Sequence, residues 1–193
     1  MNLNNKIQNL KKNIIQVIDL KFLCIEYQIV SLDHTYSKRY LERKHGTLLR
    51  EKIKNNLQNI KTITTTHTIV KDKIYIIVIG SSDSLGIGVD LEFKFRVIKS
   101  QLKERITIYT ERKYNLSTLE YWVIKEASLK SCYPNNKGHI LRDYKLIEWD
   151  SYIKKGKVRS KYGVEIIVYI FSIESFWIGI AKINKNILSQ FNK

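Results

Sequence analysis

Two cysteines, one proline and eight glycines are all that 193 residues contain of these types. Cys24 and Cys132 stand far apart with no CxxC spacing, which excludes a cysteine-based zinc site and fits a reducing compartment with two packing thiols. No apolar stretch is both long and free of charge, so no membrane-crossing helix is expected. The first twenty residues are interrupted by Asn5, Lys6, Lys11, Lys12 and Asp19 and lack the unbroken apolar core of a secretory signal, so the expected address is cytoplasmic. Acidic residues are also in short supply. Eighteen Asp and Glu stand against 34 Lys and Arg, a formal charge of +16 that attracts polyanions or acidic proteins. Isoleucine, lysine and asparagine are abundant where proline and glycine are scarce, as a biased coding DNA would produce, so charge alone does not choose a partner.

A hydrophobic content of 44%, with 11% aromatic, is enough to build a core and argues against disorder. The length suits one compact unit, or two small lobes sharing a core. Lys21 to Val30 alternates as a half-buried strand, with Leu23, Ile25, Tyr27 and Ile29 on one side and Cys24, Glu26 and Gln28 on the other. The spacing of Tyr40, Leu41, Leu48, Leu49, Ile53 and Leu57 predicts a basic amphipathic helix over 36–59. Residues 62–70 and 73–79 are rich in β-branched side chains and read as a hairpin, with a turn over 80–84. A strand follows over 86–93, then short helical and irregular pieces over 95–114. Ser117-Thr118-Leu119-Glu120 is a capping box, which starts a helix that runs to about Cys132, before Pro134. Residues 146–183 are mostly strand. Each half thus runs strand, helix, then strands, an order compatible with internal duplication.

The strand Gly86-Ile87-Gly88-Val89-Asp90-Leu91-Glu92 puts Ile87, Val89 and Leu91 on one face and Gly88, Asp90 and Glu92 on the other. Two carboxylates about 6.5 Å apart on one face repel by roughly 2.5 kcal/mol at an effective dielectric near 20, so a cation is wanted between them. Hard oxygen donors on a short rigid element suit Mg²⁺. By itself a D-x-E pattern is more simply a strand edge with two solvated acids. On the later helix Trp122, Glu126 and Lys130 recur at i, i+4 and i+8 as one stripe, by itself an ordinary amphipathic helix with a surface ion pair. His67, between two threonines of the hairpin, could bind phosphate or simply be a hydrogen-bonded strand histidine.

In this order the pieces resemble the Sfp-type 4′-phosphopantetheinyl transferases, which activate nonribosomal peptide and related synthetases. The family's G-I-D-x-E strand is matched by Gly88-Val89-Asp90-Leu91-Glu92, its E-R by Glu111-Arg112, and its W-x-x-K-E-x-x-x-K helix by Trp122-Val123-Ile124-Lys125-Glu126-Ala127-Ser128-Leu129-Lys130. Upstream, Thr66-His67 is similar to a Ser-His, and His45-Gly46-Thr47-Leu48-Leu49 to a motif of the amino-terminal half. The likeness covers about residues 38 to 130. It departs at Gly46, where the family has an arginine used toward coenzyme A, and in a longer spacing from His67 to Asp90 and a shorter one from Asp90 to Glu126.

The resemblance implies an α+β fold of two similar lobes, 1–85 and 86–193, related by a pseudo-twofold axis, with coenzyme A in the cleft between them. It implies Mg²⁺ on Asp90, Glu92 and Glu126, and Glu126 as the base that takes the proton of the attacking serine. Lys130 would steady the phosphates and His67 the phosphate end of the adenosine, with Lys38, Arg39 and Arg43 as further candidates for that duty. The acceptor serine would belong to an acyl or peptidyl carrier protein, which agrees with the lack of a Ser/His/Asp or Cys/His arrangement in this chain. Carrier proteins are usually acidic, so the positive charge has a use without specific nucleic acid. A basic nucleic-acid-binding protein is the competing reading, carried by the charge and by Phe93-Lys94-Phe95-Arg96. Gly46 keeps open a transferase-like protein that has lost activity.

Overall fold

The computed structural model describes residues 23–32, 35–82, 86–99 and 101–184, together with Asn9 and Lys12. The reading of residues 1–20 as free of a signal lies, but for those two, outside the described residues.

Strand β1 (Leu23–Ser31) leads to helix α1 (Lys38–Asn56) and then to the hairpin β2 (Thr62–Val70) and β3 (Lys73–Ser81). These strands form an antiparallel sheet in the order β1-β3-β2, with Ile25 opposite Ile79 and His67 opposite Ile76. The helix starts two residues later than its periodicity predicts, because the Ser37 hydroxyl accepts the Tyr40 N–H at 3.2 Å and so ends the extended chain there. It stops where the Leu57 N–H closes onto the Ile53 carbonyl. Gly80 and Ser81, expected in a turn, continue β3.

The second sheet contains β4 (Ile87–Phe93), β5 (Lys145–Asp150), β6 (Lys155–Arg159), β7 (Glu165–Ile173) and β8 (Phe176–Ile183), all antiparallel in the order β4-β8-β7-β6-β5. Between β4 and β5 lie α2 (Gln101–Ile106), a 3-10 turn (Tyr109–Tyr114) and α3 (Thr118–Ser131). The capping box over 117–120 is formed: the Ser117 hydroxyl accepts from the Glu120 N–H at 3.2 Å, and the Glu120 carboxylate accepts from the Ser117 N–H at 2.9 Å. The chain is therefore mixed α+β.

The strand alternation decides the layers. Leu23, Ile25, Ile77 and Ile79 of the first sheet pack against Ile87, Val89, Leu91, Ile178 and Ile180 of the second. The opposite face of the first sheet, Cys24, Val30, Ile74, Ile76 and Val78, is covered by Leu41, Leu49 and Ile53 of α1. The opposite face of the second, with Ile166, Val168, Ile170 and Ala181, is covered by Tyr121, Ile124 and Ala127 of α3. The order is helix, sheet, sheet, helix, so β1 is buried on both faces at Leu23, Cys24 and Ile25, while Glu26, Tyr27 and Gln28 are half-buried and Ile29 is exposed. At one margin β2 lies against β4. No helix among the described residues is long and apolar enough to cross a membrane.

Candidate functional site

The site lies at that margin and starts from β4. Ile87, Val89 and Leu91 enter the core between the sheets, which by the period of two turns Gly88, Asp90 and Glu92 toward α3. A Cβ at Gly88 would stand 1.9 Å from the Ala127 carbonyl oxygen, so glycine here lets the helix backbone rest directly on the strand. Asp90 and Glu92 are consequently 4% and 6% exposed. They are not the solvated acids of a strand edge.

The Trp122, Glu126 and Lys130 stripe runs along these two carboxylates. The Lys130 ammonium donates to Asp90 Oδ1 at 2.7 Å and stands 3.8 Å from Glu126 Oε2. Thr66 of β2 donates to the same Asp90 oxygen at 3.2 Å, which ties the first sheet to the site. Arg96, just beyond β4, donates to Glu92 Oε1 at 2.5 Å and lies over the Trp122 ring at 5.7 Å. The second oxygens, Asp90 Oδ2 and Glu92 Oε2, are buried without a hydrogen-bond partner among the described residues.

Burial pushes the Glu92 carboxyl above its ordinary value; Arg96 opposes this and Asp90 adds to it. Glu126 is likewise pushed up by burial, opposed by Lys130 and reinforced by the charges of Asp90 and Glu92. The three acids therefore feel one another across the gap between strand and helix. Among the described residues no group of three His, Cys, Asp or Glu forms a ready metal cage. Asp90 and Glu92 are held by internal cations instead. Hard carboxylate oxygens, two of them buried and unpaired among the described residues, are nevertheless the donor type that Mg²⁺ takes.

Beside Glu92 opens a cavity of about 370 Å³ lined by Lys38, His67, Thr68, Ile69, Glu92, Phe93 and Arg96. His67 also approaches Glu42 of α1, with Nε2 3.1 Å from Oε1, close enough for an ion pair but without the alignment of a hydrogen bond. Lys38 and His67 thus share this cavity with Glu92, while Asp90, Glu126 and Lys130 do not line it. Arg39 and Arg43 are exposed on α1 and do not line the cavity. Gly46 is buried, and a Cβ there would meet only Thr65 Cγ2 at 3.8 Å, so packing does not demand glycine.

Two ion-paired partnerships at the site and behind it escape the sequence reading. Arg96 was visible only as part of an aromatic and basic run, and its position four residues after Glu92 was the available signal. The other is the partnership of Glu111 and Lys125, fully buried with Nζ 2.8 Å from Oε1. Glu111 also accepts from the backbone N–H groups of Ile108 and Leu146, at 2.7 and 2.6 Å. Lys125 donates to the Tyr144 carbonyl at 2.7 Å. This network fastens α3 to the 3-10 turn and to β5. No protein-family model and no curated protein sequence matches the chain.

Proposed function

We propose that this protein is a magnesium-dependent 4′-phosphopantetheinyl transferase that moves the phosphopantetheine of coenzyme A onto a serine of an acyl or peptidyl carrier protein in the cytoplasm. One observation carries the reading: Asp90 and Glu92, buried on the strand, lie against Glu126 and Lys130, partly exposed on the helix, with two carboxylate oxygens left unpaired among the described residues. A cavity beside Glu92, lined also by Lys38 and His67, supports the same reading. The topology is compatible with two related lobes divided between residues 85 and 86. The order β1-β3-β2 with α1 on its outer face parallels β4-β8-β7 with α3 on its outer face, and β6 and β5 extend the second half.

Asp90, Glu92 and Glu126 would hold Mg²⁺, whose chemistry is to neutralise the charge that builds as a phosphoanhydride breaks. Glu126, partly exposed beside Lys130 and with its pKa raised by burial, would be the base for the proton of the carrier serine. That serine oxygen forms a bond to the phosphorus next to the pantetheine arm, and the bond to the adenosine 3′,5′-bisphosphate leaving group breaks. Lys130 steadies the phosphates in line, and Lys38 with His67 receives the phosphate end of the adenosine. The net charge of +16 suits an acidic carrier protein. A nucleic-acid groove would place Asp90 and Glu92 against phosphates that they repel, which disfavours the competing reading.

The deciding experiment incubates the protein with fluorescent coenzyme A, Mg²⁺ and a panel of apo carrier proteins, and locates the label by mass spectrometry. Label on a carrier serine supports the reading. Its absence across the panel overturns it.

A further inference from the structure

Arg96 reaches from the surface, with its side chain 49% exposed, to a carboxylate that is nearly all buried. Among the described residues Glu92 is the one acceptor its guanidinium meets, so most of its five N–H donors are uncommitted. It stands on the wall of the cavity that Lys38 and His67 also line. Three nitrogen-bearing side chains around one opening of about 370 Å³ are a phosphate-binding chemistry, and the volume is at the small end of ligand sites. Glu92 Oε1 cannot serve Arg96 and a divalent cation equally well, because the guanidinium and the ion compete for the same lone pairs.

We propose that Arg96 is a phosphate-binding residue kept in reserve on Glu92. When a nucleotide phosphate enters the cavity, Arg96 turns to it and leaves Glu92 to a divalent cation. Phosphate and cation then favour the same arrangement, so each raises the affinity of the other by an equal factor. The proposal rests on the coenzyme A and Mg²⁺ reading of this site, and it supplies a cation that Gly46 cannot.

The test measures two affinities in wild type, Arg96→Met and Arg96→Lys. Mn²⁺ binding is followed by electron paramagnetic resonance without nucleotide, and adenosine 3′,5′-bisphosphate binding by calorimetry in metal-free buffer. Methionine preserves packing on Trp122 and removes the charge. Arg96→Met should bind Mn²⁺ about tenfold more tightly, since a nearby positive charge and a competitor are both gone. It should bind the bisphosphate about tenfold less tightly, and Arg96→Lys should fall between. A merely structural role cannot move the two affinities in opposite directions. Mn²⁺ affinity in Arg96→Met that is equal to or weaker than wild type overturns the proposal. Carrier labelling by the wild-type protein, measured alongside, separates the two ideas. Labelling with unchanged Mn²⁺ affinity removes only the role of Arg96, whereas opposite shifts without labelling keep that role and remove the transferase reading.

Discussion

Lys125 and Glu126 are consecutive on α3, yet Lys125 is sealed against Glu111 at 2.8 Å while Glu126 faces Lys130 and the carboxylates of β4. One residue anchors the helix and the next serves the site. Burial lowers the Lys125 pKa, and the adjacent Glu111 carboxylate pulls it back up, so the charge there depends on its partner. Replacing Lys125 by methionine leaves Glu111 buried without its cation and should cost about 3–5 kcal/mol, a fall in Tm of roughly 10 °C. The double variant Lys125→Met with Glu111→Gln should regain more than about 1 kcal/mol of that loss. Thermal melts of the two single variants and the double variant decide it; strictly additive losses would mean the pair is not coupled.

Asp90→Ala and Glu126→Gln should each lower carrier labelling by at least about a hundredfold. Lys130 is partly exposed and can turn to solvent when Asp90 is removed, so the fold should persist. Near wild-type turnover of either variant at limiting Mg²⁺, in a protein that melts normally, would remove the metal and base assignments.

What the sequence made legible follows from periodicity. The two-residue alternation from Ile87 to Glu92 and the four-residue spacing of Trp122, Glu126 and Lys130 each set a polar side apart, and in the structure Lys130 meets Asp90 across those two sides. Burial was not legible in the same way. Nothing in Asp90-Leu91-Glu92 announces that α3 will cover it, because that depends on Gly88 meeting Ala127, 39 positions later in the chain. The partners of Arg96 and Lys125 are illegible for a related reason: a cation's partner is chosen by tertiary approach. The arginines of α1 looked equivalent to Lys38 in sequence, and only the placement of the cavity tells them apart.

Lys38→Ala should therefore raise the KM for coenzyme A about tenfold, with a much smaller effect for dephospho-coenzyme A, as the loss of one charge-assisted phosphate contact implies. Arg39→Ala and Arg43→Ala should leave both constants nearly unchanged. Steady-state kinetics with the two cofactors test this directly, and the reverse pattern, with Arg43 sensitive and Lys38 silent, would move the phosphate site out of the cavity.

Glu92 and Glu126 both have folded pKa values above the ordinary 4.5, with burial the largest cause in each. Between that value and their raised ones the folded protein holds protons that the unfolded chain has released. Stability from these two groups is thus present at low pH and is lost as pH rises through the folded values. The Glu92→Gln, Glu126→Gln double variant should show a shallower decline of Tm from pH 4.5 upward than the wild type. Parallel curves would mean that neither carboxyl is perturbed by its surroundings.

Two glycines offer the sharpest contrast, because one is required by a neighbour and the other is not. An alanine Cβ at position 88 would lie 1.9 Å from the Ala127 carbonyl oxygen and 2.5 Å from the Ser131 nitrogen, both helix backbone and neither able to swing aside. Helix α3 must then retreat from β4, at a cost of about 1–3 kcal/mol or more, and Glu126 retreats with it. A displacement of about 1 Å in a catalytic group can cost about a hundredfold in rate, so Gly88→Ala should lose labelling and Mn²⁺ binding together. Position 46 differs: the nearest atom to a new Cβ is a Thr65 methyl at 3.8 Å, an ordinary contact. Gly46→Ala should raise stability by about 0.4–1 kcal/mol, through the lower entropy of the unfolded chain and the better helix propensity of alanine, and leave labelling intact. Chemical denaturation and the labelling assay on both variants measure the pair. A Gly88→Ala protein that unfolds and labels like the wild type would show that α3 is not seated on β4 and that the carboxylates meet in some other way.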